Sequence, residues 1–143
     1  MQRVIESARD KLGVAFTVGA ELEFVLFRCK GDAPAVPVDY SVFASMITLD
    51  EQEGFLTTFC KWMDALDVEI AQVHGESAPG QVEIVLVHQD DPLRLADHVV
   101  LAREVRLLLP LLLIVYHRLI NTGIVDILLV HYLLAFIFPS SSL

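Results

Sequence analysis

The sequence predicts an α+β fold, a mainly antiparallel sheet with flanking helices, followed by a Leu-rich apolar C-terminal tail. Three observations carry that expectation. Residues 14–27, 67–76 and 80–88 are strand-like, with charged and apolar side chains alternating through their polar stretches, the two-residue period of half-buried strands. The second and third of these runs are joined by the tight "SAPG" connection, which suits neighbouring antiparallel strands. Around them, apolar residues recur at three- and four-residue steps, as they do along one face of a helix.

Taken in order, "MQRVIESARDKLG" carries charge throughout and no apolar core segment, so it is not a signal peptide. It reads as a short amphipathic helix with Val4, Ile5, Ala8 and Leu12 on one side and Gly13 as its stop. "VAFTVGAELEFVLF" is the first strand, and "GDAPAVPVDYS" is a loop, since its prolines and turn formers carry no period. A helix begins at Asp50, which can cap it, with Phe55, Phe59, Trp62, Met63 and Leu66 on its apolar face. After the strand pair, Asp91 serves as cap and Pro92 as first residue of another helix that runs through residue 106.

A chain of 143 residues with 55% hydrophobic composition is one domain or part of one, with ample material for a core. A net charge of −9 argues against duplex nucleic acid as a partner, because phosphates repel such a surface. Cys29 and Cys60 lie far apart without CxxC spacing, which reads as two reduced, packed thiols in a cytoplasmic protein.

The composition changes near residue 106, dividing the chain into 1–106 and 107–143. The tail holds only Arg118 and Asp126 as charges. Three readings of it stand side by side: a membrane anchor, a buried helical hairpin turning at 121–123, and sequence that does not continue the domain. The anchor is disfavoured, since Pro110, His117, Arg118, Asn121, Asp126 and His131 interrupt the apolar run. The two charges would each cost about 3 kcal/mol on insertion.

Chemistry points to the strands. Residues i and i+2 of a strand face the same way, so Glu21 pairs with Glu23, His74 with Glu76, and Gln81 with Glu83. Were these strands neighbours, four carboxylates and an imidazole would meet on one patch of sheet. Such carboxylates raise one another's pKa values unless a hard cation compensates, and Mg²⁺ or Mn²⁺ suits oxygen donors. Each pair taken singly also fits the solvated face of a half-exposed strand.

The combination resembles the glutamine synthetase family. Its catalytic domain carries a glycine followed by E-x-E-F, here Gly19, Glu21, Glu23 and Phe24. It then carries H-x-E and G-Q-x-E, here His74, Glu76, Gly80, Gln81 and Glu83, and a helix matched at Ala96, Asp97, Arg103 and Glu104. "APGQVEI" and the helix after it look closest to a branch found in plants and fungi, some members of which are fused to an amidohydrolase.

The resemblance implies that Glu23, Glu76 and Glu83 bind a first metal ion, Glu76 being counted with the catalytic groups. Glu21 would be a ligand of a second ion facing ATP, and His74 would lie near the ATP phosphates. It implies ATP-dependent phosphorylation of a glutamate side chain and displacement of the phosphate by ammonia or an amine, in a homo-oligomeric complete enzyme. The family's remaining histidine, arginine and nucleotide-holding segments would follow residue 106, where this chain enters its tail. The expectation is therefore a truncated catalytic domain, inactive alone. A non-catalytic interaction protein and a membrane-tethered module are the alternatives.

Overall fold

The computed structural model describes residues 1–29, 34–120 and 126–139, with side chains described for residues 1–28 and 34–109. Its first helix, α1 (Gln2–Leu12), ends where the sequence indicates. Gly13 adopts φ 64°, and the N–H groups of Gly13 and Val14 return to the carbonyls of Arg9 and Ala8. A left-handed residue is the usual way to satisfy the last carbonyls of a helix, and glycine enters that region without a Cβ penalty.

Strand β1 (Phe16–Cys29) is the spine of the sheet. It pairs antiparallel with β4 (Gln81–Gln89), which pairs in turn with β3 (Ile70–Gly75). The order is β2–β1–β4–β3, where β2 (Val36–Pro37) touches β1 only at Phe27 and Arg28. A last strand, β5 (Asp126–Pro139), also pairs with β1, from Phe16 opposite Pro139 to Cys29 opposite Asp126.

The two-residue period divides the faces of this sheet. Ala20, Leu22, Phe24 and Leu26 of β1 are buried with Val82, Ile84 and Leu86 of β4. Against them pack Phe55, Phe59 and Met63 of α3 (Glu53–Ala65) and Leu95, Ala102, Val105 and Leu109 of α4 (Pro92–Ile120). The rings of Phe24 and Phe55 meet edge to face at 6.1 Å, an arrangement that adds about 1 kcal/mol beyond area burial. The opposite face carries Glu21 and Glu23 of β1 and Gln81 and Glu83 of β4, beside Val25, Phe27, Val85 and Val87.

Several expectations change in detail. Asp50 is not a cap: it lies inside α2 (Met46–Glu51), a separate short helix capped by Ser45, whose hydroxyl accepts the N–H of Ile47. Helix α3 starts after Gln52 without a side-chain cap, so the single helix foreseen from Asp50 is two. The Asp91 cap is present, with its carboxylate accepting from Leu93 N–H at 2.9 Å and Arg94 N–H at 3.3 Å. Helix α4 does not stop at Arg106, a residue only 2% exposed with its guanidinium 5.9 Å from the Phe24 ring, but continues to Ile120. Leucine-rich sequence favours that continuation. The tail is then a helix end followed by a strand; the turn expected at 121–123 lies outside the described residues. Among the described residues, no helix is long and apolar enough to cross a membrane.

Candidate metal centre

Strand register brings the expected acids together. Glu23 of β1 stands opposite Glu83 of β4, and on the other side of β4 Glu83 stands opposite His74 of β3. Like charges directly opposite one another destabilise a sheet unless something between them compensates. Two groups of donor atoms each come within 4.8 Å of one another: Glu21, Glu23 and Glu83 in one, His74, Glu76 and Glu83 in the other. Glu83 is common to both. Glu23 and Glu76, expected to share one ion, flank it from opposite sides.

Glu83 is 7% exposed, and burial pushes its carboxyl above the usual range. The His74 imidazole pulls it down, while Glu21, Glu23 and Glu76 push it further up. Such a group carries its charge reluctantly until a cation arrives. Glu76 is the opposite case: the N–H of Ser77 holds it below its ordinary value against burial, which raises it, and the Ser77 hydroxyl and His74 add to the lowering. Both Ser77 groups donate to the same oxygen, Oε2 of Glu76, at 2.7 and 2.8 Å.

His74 is oriented by its own strand end. Its Nδ1 lies 3.1 Å from the carbonyl of Gly75, which can only accept, so Nδ1 carries a proton. That leaves Nε2 turned toward Oε1 of Glu83 at 3.5 Å. Phe43 meets the imidazole edge-on, with centroids 6.2 Å apart. An imidazole with Nδ1 bound to a backbone carbonyl and Nε2 facing carboxylates has the arrangement common among metal-ligating histidines. Carboxylate oxygens together with one imidazole suit Mg²⁺ or Mn²⁺.

The connection between β3 and β4 positions these groups. Gly80 has φ 68°, and a Cβ there would sit 2.6 Å from the carbonyl oxygen of Leu26. Its carbonyl accepts the N–H of Leu26 at 2.9 Å, tying the turn to β1. Gln81 follows, 7% exposed, and its side chain does what sequence reasoning missed. Parity pairs it with Glu83 on one face of β4, but its hydrogen bond crosses to β1, Nε2 donating to Oε2 of Glu23 at 2.7 Å. Its Oε1 accepts the N–H of Ala78 at 2.9 Å, so the amide orientation is determined. Ser77 was likewise unmarked, although a serine after a glutamate at a turn is a familiar local donor.

An antiparallel sheet with one face packed on helices gathers four carboxylates and a histidine on the other, in two groups of donor atoms that could hold a metal ion. The chain belongs to the glutamine synthetase family: "Glutamine synthetase, catalytic domain" matches residues 1–107. Solved structures with a similar fold include the glutamine synthetase of Plasmodium falciparum, with a TM-score of 0.56 and 16% identity over 73% of this chain and 26% of that one. Another is the GmaS/ADP complex in conformation 1, with a TM-score of 0.53 and 23% identity over 73% of this chain and 25% of that one. The chain thus spans about a quarter of the length of these structures. No curated protein matches it in sequence.

Proposed function

We propose that this chain carries the cation-holding part of a glutamine-synthetase-type ligase, which joins ammonia or an amine to the side-chain carboxylate of glutamate at the expense of ATP. The observation that carries the reading is the shared position of Glu83 between two donor groups. On this reading Glu23, Glu76 and Glu83 hold one Mg²⁺ or Mn²⁺, with Glu83 in the middle, Glu23 reaching it from β1 and Glu76 from the connection that follows β3. Glu21 serves a second cation on the ATP side, and His74 stands by the phosphates. The cations supply charge neutralisation for phosphoryl transfer. The protein side chains hold the acidic oxygens of Glu23 and Glu83 opposite one another on neighbouring strands.

The boundary we propose lies near residue 106, with 107–143 as an apolar tail that is not family-like; the family match over residues 1–107 supports it. The match ends at residue 107, before the point where the resemblance would place the family's remaining histidine, arginine and nucleotide-holding segments, and that this chain alone does not turn over ATP is part of the proposal. A homo-oligomeric complete enzyme, a cytoplasmic location and kinship with the plant and fungal branch complete the proposal. The last rests on the "APGQVEI" segment.

Titration of the full chain with Mn²⁺, followed by the loss of the free-ion electron paramagnetic resonance signal, tests it. Binding by the parent protein and loss of at least tenfold in affinity with Glu83→Gln is the expected result, a magnitude typical of ligand and ligand-supporting positions. Equal behaviour of the two proteins would overturn the reading.

A further inference from the structure

We infer that Gln81 and Ser77 set the cation preference of this centre, by tying up one oxygen of each carboxylate that flanks Glu83. The inference rests on the metal-binding reading above and deepens it. Oε2 of Glu23 accepts from Gln81 Nε2 at 2.7 Å. Oε2 of Glu76 accepts from both the N–H and the hydroxyl of Ser77, at 2.7 and 2.8 Å. Each carboxylate therefore has Oε2 engaged in hydrogen bonds, while one of its oxygens lies within 4.8 Å of a Glu83 oxygen.

Ionic size converts this into selectivity. Ca²⁺ takes roughly six to eight oxygen ligands and commonly uses both oxygens of a carboxylate, whereas Mg²⁺ demands octahedral geometry with shorter bonds and single-oxygen donors. Mn²⁺ is served by the same carboxylate and water donors. To chelate Ca²⁺ with both oxygens, Glu23 would have to release Gln81, and Glu76 would have to release Ser77. Gln81 cannot easily follow such a movement: it is buried, and its Oε1 is held by the N–H of Ala78 at 2.9 Å. It is also neutral, so it orients Glu23 without adding a fifth negative charge. The two tethers come from the two ends of one turn. The Ser77–Gln81 segment thus acts as a clamp on both flanking carboxylates.

The test measures Mn²⁺ and Ca²⁺ affinities of the full chain by calorimetry and by Ca²⁺ displacement of bound Mn²⁺, for the parent, Gln81→Met and Ser77→Ala. Gln81→Met should narrow the preference for Mn²⁺ over Ca²⁺ by about tenfold, the scale on which supporting residues of metal ligands act. Ser77→Ala keeps the backbone donor and the exposed turn, so it should fold normally and narrow the preference by about threefold. A parent that binds Mn²⁺ while both variants keep its Mn²⁺/Ca²⁺ ratio would overturn the clamp and leave the metal reading standing. A parent that binds no Mn²⁺ would overturn both.

Discussion

Glu23 and Glu83 face each other across β1 and β4 as register partners, two carboxylates where a sheet ordinarily sets an apolar or oppositely charged pair. With His74 as the next partner along, the row reads acid, acid, imidazole over three strands. The cation-free protein is therefore less stable than its fold allows. Glu83→Gln should raise its thermal midpoint in EDTA by a few degrees, corresponding to at most about 1 kcal/mol for relieving one opposed pair. With Mn²⁺ at about a hundred times the parent's Kd the order should reverse, since binding adds about 2.7 kcal/mol to the parent and at most about 1.4 kcal/mol to a variant that binds tenfold more weakly. Thermal melts of both proteins, with and without Mn²⁺, check the crossing. A Gln variant less stable in EDTA than the parent would contradict it.

The same residue gives a pH signature. Burial and three neighbouring carboxylates raise Glu83 above its ordinary 4.5, so the folded chain holds its proton more tightly than the unfolded chain does. Its contribution to stability is full below that ordinary value and is lost as pH rises through the raised folded value. Glu76, lowered by Ser77, runs the other way: its contribution is present above its ordinary 4.5 and is lost as pH falls through the folded value. Urea unfolding in EDTA between roughly pH 4 and 8 should show Glu83→Gln gaining on the parent as pH increases. A constant gap would remove the burial account of Glu83.

What the sequence made legible follows from periodicity. Burial of one sheet face forces the two-residue alternation, so Glu21 with Glu23, and Gln81 with Glu83, could each be assigned to one side of their own strand, while their meeting on one patch depended on the strands being neighbours. Gln81 could not be read that way. Its partner Glu23 lies on another strand, and the contact depends on a register in which Gln81 is opposite Val25 and Glu83 opposite Glu23. The start of α3 was misjudged because Ser45 and Asp50 are both good caps, and Ser45, five residues earlier, opened a helix of its own. Residues 126–139 gave no strand signal, because an almost unbroken apolar run has no alternation to distinguish strand from helix.

The Asp91 cap was legible, and it offers a clean test of how α4 is held. Its carboxylate takes up the N–H groups of Leu93 and Arg94, which otherwise have no partner within the helix. Asp91→Ala should destabilise the protein by about 1 kcal/mol, with Asp91→Asn close to the parent. Denaturant midpoints at constant slope measure the difference. Since the site residues lie on β1, β3, β4 and the connection after β3, Mn²⁺ affinity should stay unchanged in both variants.

Two glycines share a backbone conformation but differ in surroundings, which separates conformational strain from steric exclusion. Gly13 has φ 64° with nothing within 4 Å of where a Cβ would be, and Gly80 has φ 68° with the Leu26 carbonyl oxygen 2.6 Å away. Gly13→Ala should cost only the left-handed penalty, about 1–2 kcal/mol. Gly80→Ala adds a collision with backbone that cannot swing aside, in the turn that carries Ser77 and Gln81. Its destabilisation should exceed that of Gly13→Ala by at least about 1 kcal/mol, since overpacking typically costs 1–3 kcal/mol. Relief of the clash would also push the turn from β1 and lengthen the Gln81–Glu23 hydrogen bond, so Mn²⁺ affinity should fall in Gly80→Ala and hold in Gly13→Ala. Urea midpoints together with Mn²⁺ titrations of the two variants decide it: equal destabilisation would show that the Leu26 contact yields, and equal affinities would show that the turn does not position Glu23.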